Sequence, residues 1–301
     1  MARPPLLVLA GATASGKSRL ALALAEAFDG VIVAADSRTV YRDFDIGTAK
    51  PTAEERARVP HRLIDVADPT DTYTVARYKA AAIEAIAEVH AAGKLPMLVG
   101  GTGFYIRGLI GGLVIPEVPP QPELRAEFEA LVDPHARLAE VDPVTAARLH
   151  PNDRMRVIRA LEVHAVLGRP LSEAATKAQS PYDALYLALG MERERLYDRI
   201  NQRTHQMMEQ GLVEEVEYLV GRYGADLPLL QTLGYAETLD LLSGRATRDE
   251  AIAAIQQHTR NYAKRQLTWF RREEGVRWLD GDRPEGLFDE AAGRVEEWRA
   301  S

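Results

Sequence analysis

The apolar run Leu6 to Ala10 leads directly into GATASGKS at residues 11 to 18, and a helical pattern over Arg19 to Phe28 follows at once. A strand that ends in a G-x-x-x-x-G-K-S turn and rises into a helix admits few folds. The glycines let the backbone curl tightly, successive N–H groups and the helix N-terminus converge on one point, and Lys17 adds a mobile positive charge there. Phosphate oxygens belong at that point. Gly11, Ala12, Thr13, Ala14, Ser15, Gly16, Lys17 and Ser18 therefore form a candidate phosphate cradle, and the Ser18 hydroxyl is placed to complete the coordination of a phosphate-bound Mg²⁺. The loop leaves open which phosphate compound it holds.

Downstream, Val31–Ala35, Arg62–Val66 and Leu95–Val99 read as strands, with a helix over Val75–Ala92 between the last two. Strands alternating with helices imply a parallel sheet, so the expected fold is α/β, a P-loop nucleoside-kinase-like parallel sheet flanked by helices. After Ile110 the pattern changes. Pro116, Pro119, Pro120 and Pro122 crowd together, and short Ala- and Arg-rich helical stretches follow to about Lys177. These predict an all-helical insertion over residues 117–182, within a discontinuous core of residues 1–116 and 183–301. A strand returns at Ala184–Leu189, helices follow from Arg193 with breaks at Gly211, Gly221, Gly224, Gly234 and Gly244, and Val276–Leu279 reads as a short edge strand.

Composition narrows the setting. An apolar fraction of 46% suffices for a proper core, and no apolar run approaches the roughly 20 residues of a membrane span. The absence of cysteine excludes disulfides and thiolate metal sites, and seven scattered histidines form no zinc pattern. With no long apolar leader before the phosphate loop, a cytoplasmic protein is expected, with a monomer as the default. A net charge of −7 excludes coating nucleic acid by bulk charge but leaves local basic patches open.

Two further loops carry chemistry. The second strand hands over to DSRTVYRDFDIGTAKPT at residues 36 to 52, and ligands of open parallel sheets bind beyond the strands' carboxyl ends. Asp36 is thereby placed near the phosphate loop, as a base, as a water-mediated Mg²⁺ partner, or as a simple turn cap with Ser37. The fourth strand runs into Gly100, Gly101, Thr102 and Gly103, where glycines permit close approach to a ligand and expose the Thr102 hydroxyl, or merely make a turn.

These blocks, together with PHRLIDV at 60 to 66, LVGGTGFYIRGL at 98 to 109, HPNDRMRVIRALEV at 150 to 163, GLVEEV at 211 to 216, LGYAE at 233 to 237 and TRNYAKRQLTWFRR at 259 to 272, resemble the tRNA dimethylallyltransferase family over nearly the whole chain. Two positions depart from its common form: Gln is common where this chain has Thr39, and Leu is commoner than Phe104. The resemblance implies transfer of a dimethylallyl group from its diphosphate to N6 of the adenosine 3′ of the anticodon in tRNA, with Mg²⁺ as cofactor. It implies that Lys17 meets the departing diphosphate, that Thr102 meets the oxygen between C1 and phosphorus, and that Asp36 takes the amino proton.

On the RNA side the resemblance implies contacts from Asp36, Ser37, Arg38, Thr39, Thr102, Arg125, Met155, Arg156, Val157, Ile158, Arg159, Gly234, Tyr235, Lys264 and Arg265. Basic residues cluster accordingly. Arg154, Arg156 and Arg159 share one predicted helix, and Arg260, Lys264, Arg265, Arg271 and Arg272 share a stretch without acids. Such clusters are also what solvated helix faces look like. Tyr235 and Trp269 are candidates for stacking on an extruded base, with burial in the core as the simpler reading. Residue by residue, a small-molecule kinase, an adenylate isopentenyltransferase and a nucleotide-switch or RNA-binding protein without transfer chemistry all stay open.

Overall fold

The computed structural model describes residues 3–111, 116, 118–175 and 179–301. In chain order the first compact unit contains β1 (Pro5–Gly11), α1 (Lys17–Ala27), β2 (Gly30–Ala34), α2 (Ala53–Arg58), β3 (His61–Arg62), α3 (Val75–Ala91), β4 (Leu95–Gly100) and the start of α4 (Gly103–Ile110). The second unit, Arg107–Ser180, contains the rest of α4 and α5 (Pro122–Glu129), α6 (Pro134–Val141), α7 (Pro143–Ala146), α8 (Arg154–Leu167) and α9 (Leu171–Ala174). The chain then returns to the first unit with β5 (Asp183–Gly190), α10 (Arg193–Glu209), α11 (Leu212–Tyr223), a 3₁₀ turn (Pro228–Gln231), α12 (Tyr235–Leu242), α13 (Arg248–Phe270), β6 (Arg277–Asp280) and α14 (Leu287–Ala300). The expected boundary at residue 117 and the end of the helical stretch near Lys177 lie outside the described residues.

The six strands form one all-parallel sheet in the order β3-β2-β4-β1-β5-β6. The three central strands β2, β4 and β1 are apolar on both faces and buried along almost their whole length, as a sheet covered by helices on each side requires. On one face Leu7, Leu9 and Met97 pack with α1 and α14. On the other, Tyr78 stacks on Tyr105 at 3.8 Å and donates its hydroxyl to the Ala34 carbonyl at 3.1 Å, which anchors the carboxyl end of β2. Among the described residues no helix is long and apolar enough to cross a membrane.

One expected strand is much shorter than its sequence suggests. Only His61 and Arg62 pair with β2; Leu63 and Asp65 take φ of 63° and 59°, left-handed values that end an extended run. The chain bends because Asp65 is drawn into ion pairs with Lys50 at 2.5 Å and Arg56 at 2.8 Å, and the following amides of Val66 and Ala67 are spent on the Val40 carbonyl. Burial alone would raise the Asp65 carboxyl, but the hydrogen bonds from Lys50 and Arg56 outweigh it and hold the group below its ordinary range. The apolar alternation of RLIDV thus belongs to a clasp around the loop of residues 36 to 52.

The far end of that loop is fastened by Glu215 of α11. Its carboxylate accepts the N–H groups of Asp45 at 3.1 Å, Ile46 at 2.7 Å and Gly47 at 3.2 Å, and the Tyr235 hydroxyl at 2.7 Å. A Cβ at Gly47 would run into the Tyr235 ring, so only glycine lets the loop lie against it. The GLVEEV and LGYAE blocks therefore serve the architecture of the DIGT loop.

Candidate active site

Three strand ends meet in the first unit. The phosphate loop follows β1, Asp36 to Thr39 follow β2, and the glycine-threonine loop follows β4. Gly100 abuts the Ala35 carbonyl so closely that any Cβ would collide with it. The Thr102 N–H donates to that same carbonyl at 3.1 Å, and Thr102 Oγ1 accepts the Ser37 N–H at 3.0 Å. With one lone pair so occupied, the Thr102 hydroxyl still has its proton to give, and it donates only a long bond to Ser37 Oγ at 3.5 Å. Asp36 Oδ1 accepts the Arg38 N–H at 2.8 Å, which is the turn-capping role weighed from sequence. This bond uses one of the two carboxylate oxygens, so the cap by itself does not exhaust the carboxylate.

The cavity at these strand ends has a volume of about 1150 Å³ and is lined by Lys17, Asp36, Arg38, Thr39, Gly234 and Arg265 among others. Lys17 Nζ donates weakly to the Ala12 carbonyl at 3.4 Å. Burial pushes its ammonium down to about 8, against the pull of Asp36 and with a further push from Arg203. Arg199 and Arg203, both on α10, complete the cationic wall. Arg203 Nη1 reaches Thr13 Oγ1 at 3.4 Å and Arg199 Nη1 reaches the Ser15 carbonyl at 3.4 Å. Gly16, at φ 97°, opens α1 and lies under the Arg199 guanidinium, which a Cβ would approach to 3.2 Å. Burial lowers the Arg203 guanidinium from its ordinary value while Asp36 raises it, and a guanidinium stays charged under such a push. Sequence reading passed over both arginines. The signal was available in the four-residue spacing of Arg195, Arg199 and Arg203, which puts all three on one face of α10.

Tyr262 of α13 also faces Asp36 electrostatically. Burial, then the Asp36 charge, pushes its hydroxyl up to about 12, so it remains a neutral donor. Thr39, where Gln is commoner in the resembled family, is 8% exposed, and among the described residues its Oγ1 has no hydrogen-bond partner. The Tyr235 ring is 1% exposed, packed 4.8 Å from Phe44. It belongs to the core and offers no stacking face to a base; its neighbour Gly234 donates its N–H to Glu237 at 2.8 Å. Trp269 lies against Gly103, with Phe104 meeting it edge-on at 6.4 Å, so the unusual Phe104 extends an aromatic wall.

The basic clusters separate into two kinds. On α13, Lys264 and Arg265 are exposed, and among the described residues neither has an ion-pair partner; Arg260 is held by Asn201 at 2.8 Å and Gln257 at 2.9 Å. In the helical unit Arg159 and Arg125 both pair with Glu162, at 2.6 Å and 3.2 Å, and the Glu162 side chain is 0% exposed. Burial would raise that carboxyl, but Arg159, the Gln121 N–H and Arg125 hold it below its ordinary range. Val157 and Ile158 are buried in the same unit, against their expected place on the RNA side, because helical periodicity turns them inward when Met155 and Arg156 face out. Met155 is 83% exposed, and among the described residues Arg156 pairs only with Asp153, at 3.3 Å.

A phosphate cradle on a parallel sheet, with an acid and a hydroxyl on the neighbouring strand ends, defines a P-loop-type group-transfer protein. The family model described as IPP transferase matches residues 39–273. The chain is 51% identical over 282 residues to the tRNA dimethylallyltransferase of a Cyanothece species, covering 93% of each, and 50% identical over 295 residues to that of Nostoc punctiforme, covering 97% of each. It is similar to the crystal structure of the tRNA isopentenylpyrophosphate transferase of Bacillus halodurans, with 40% identity, 99% coverage of both chains and a TM-score of 0.73. A eukaryotic dimethylallyltransferase solved acting on tRNA gives a TM-score of 0.86 at 28% identity, over 99% of this chain and 80% of that one. The chain belongs to the tRNA dimethylallyltransferase family, and the kinase, free-adenylate and switch-protein alternatives give way to that assignment.

Proposed function

We propose that this protein transfers a dimethylallyl group from dimethylallyl diphosphate to N6 of the adenosine 3′ of the anticodon in tRNA, as a cytoplasmic monomer. The observation that carries the reading is the convergence of a cationic phosphate cradle with Asp36 and Thr102 on adjacent ends of one sheet. The C1–oxygen bond breaks with its electron pair leaving on diphosphate, while positive charge grows on the allylic carbon. Lys17, Arg199 and Arg203 meet the departing charge in a partly dehydrated site, where fixed cations act most strongly. The Thr102 proton serves the bridging oxygen. The adenine amino group is a poor nucleophile and must lose a proton as its nitrogen bonds to C1; the Asp36 oxygen outside the turn accepts it.

Mg²⁺ suits this donor set. The Ser18 hydroxyl stands exposed on the first turn of α1 and Asp36 offers a carboxylate oxygen through water, both hard donors. Among the described residues no three acids or histidines converge, so diphosphate and water oxygens would fill the remaining positions, as Mg²⁺ favours. A metal so held adds neutralising charge at the diphosphate. Basic residues Lys264, Arg265 and Arg156 supply the phosphate contacts for tRNA.

The test is nucleoside analysis of tRNA incubated with the protein, Mg²⁺ and dimethylallyl diphosphate, without any nucleoside triphosphate. A new isopentenyladenosine peak is expected, because the allylic diphosphate already contains the bond that breaks. No peak, or a strict need for ATP, would overturn the reading.

A further inference from the structure

Helix α13 presents different chemistry on its two sides. Lys264 and Arg265 are exposed, whereas the next residue, Gln266, is turned inward and 6% exposed. The Gln266 amide spans two loops far away in sequence. Its Oε1 accepts the Thr13 N–H of the phosphate loop at 2.9 Å, and its Nε2 donates to the Gly101 carbonyl at 2.9 Å. Gly101 precedes Thr102, whose hydroxyl holds the Ser37 N–H. A Cβ at Gly101 would strike Gln266 Nε2, so the glycine is what lets the amide in. A neutral amide is suited to this place, since it offers a donor and an acceptor together, with no carboxylate charge to repel a bound phosphate.

Gln266 thus ties two loops to the helix that bears Lys264 and Arg265, and Thr102 Oγ1 ties the Ser37 loop to the second of them. The tie to Gly101 is buried and the other two are half-buried, so the loss of any of them leaves a poorly hydrated polar group unpaired, and displacement of α13 is transmitted to the loops. Binding energy spent on fixing α13 is then shared with the phosphate loop, and linkage makes the effect reciprocal.

We propose that Gln266 is a positioning residue that couples occupancy of the α13 basic face by RNA to the grip of the phosphate loop on diphosphate, so that the two substrates bind cooperatively. The inference rests on the reading of α13 as an RNA-binding face. It differs from it in locating the coupling in one side chain, whose amide bonds the backbone of both loops.

The test measures Mg²⁺–inorganic pyrophosphate binding to the full chain by calorimetry, with and without a saturating anticodon stem-loop RNA. In the wild type the RNA should tighten pyrophosphate about fivefold or more. In Gln266→Met, close in shape but without donor or acceptor, both ligands should still bind while the coupling falls to within about twofold. Gln266→Glu, which keeps the acceptor for Thr13 but loses the donor to Gly101, should also lose the coupling. Amide exchange of the segment 11–18, which holds the Thr13 N–H, provides a readout in the wild type that does not depend on any variant folding: RNA alone should slow it. RNA binding without tighter pyrophosphate and without slower exchange, or coupling that survives in Gln266→Met, overturns the proposal and leaves the functional reading intact. No RNA binding by the wild type overturns both.

Discussion

The arginines of the helical unit and the cations of the cavity unit share a charge and little else. Arg125 and Arg159 converge on the buried Glu162, so much of their charge is spent inside the protein. Lys17, Arg199 and Arg203 crowd around a phosphate loop, where Asp36 offsets part of the charge of Lys17 and Arg203, and Asp282 part of that of Arg199. The first arrangement is finished without a ligand; the second carries like charges in a partly dehydrated place, which only an anion relieves. A basic cluster in a sequence therefore says little until its partners are known.

The largest effect should come from removing the internal partner. Glu162→Ala leaves Arg125, Arg159 and the Gln121 N–H without their shared acceptor, and should cost about 3 kcal/mol, the lower end for breaking a buried pair because the arginines are partly exposed. Chemical denaturation measures it, and unchanged stability would show that Glu162 is not a keystone. Next in size is Asp36→Asn. An amide preserves the turn to the Arg38 N–H but cannot take a proton, so single-turnover prenylation should fall roughly a hundredfold with tRNA affinity within a few-fold. Full rescue by added Mg²⁺ would make Asp36 a metal partner instead of a base.

The contrast between the two units is sharpest in RNA binding. Replacing Lys264 and Arg265 by Ala should weaken tRNA binding and flatten the plot of log K against log salt by up to about two units, since each lost phosphate contact also loses released counterions. Replacing Arg125 and Arg159 should instead lower stability and leave the salt slope nearly unchanged. Equal slopes for the two pairs would dissolve the distinction between spent and free arginines.

Proton binding at Lys17 adds a smaller, signed effect. Its ammonium sits at about 8 in the folded protein against an ordinary 10.5, with burial the leading cause. Between those values the unfolded chain holds a proton that the native protein has released. Stability should therefore rise with pH across that window, while pyrophosphate affinity falls by up to about tenfold per unit above 8. Lys17→Met should remove both trends; their persistence would move the titration to another group.

How much of this was legible in the sequence depends on whether the information was local. The phosphate loop, its strand and its helix are contiguous, so GATASGKS defined them, and the buried strands β2, β4 and β5 stood out as apolar runs to within a residue or so at each end. The supposed strand over Arg62–Val66 failed because its bend is imposed by Lys50 and Arg56, residues outside the segment. Gln266 and Glu215 were invisible as individuals for the same reason, since their partners lie across the chain. Arg199 and Arg203 were readable in principle from their spacing, but a stripe of arginine on a helix has no meaning until the helix is docked beside the phosphate loop. Val157 and Ile158 show the converse, as a family block names a stretch while helical periodicity decides which of its side chains face out.

Thr39 gives the smallest effect. Its Oγ1 is buried without a partner among the described residues, and a buried hydroxyl that makes no hydrogen bond has given up water for nothing. Replacing it with Val keeps the branched shape and removes the hydroxyl, so Thr39→Val should leave stability unchanged or raise it by up to about 1 kcal/mol. The same variant asks whether the hydroxyl finds its partner on bound RNA. If it serves only the folded protein, prenylation should change less than about twofold; a loss of tenfold or more with stability intact would place the missing partner on the extruded base. Measuring urea stability and single-turnover rate on the one variant separates the two roles, because an unpaired group in the free protein and a paired one in the complex predict opposite signs of effect.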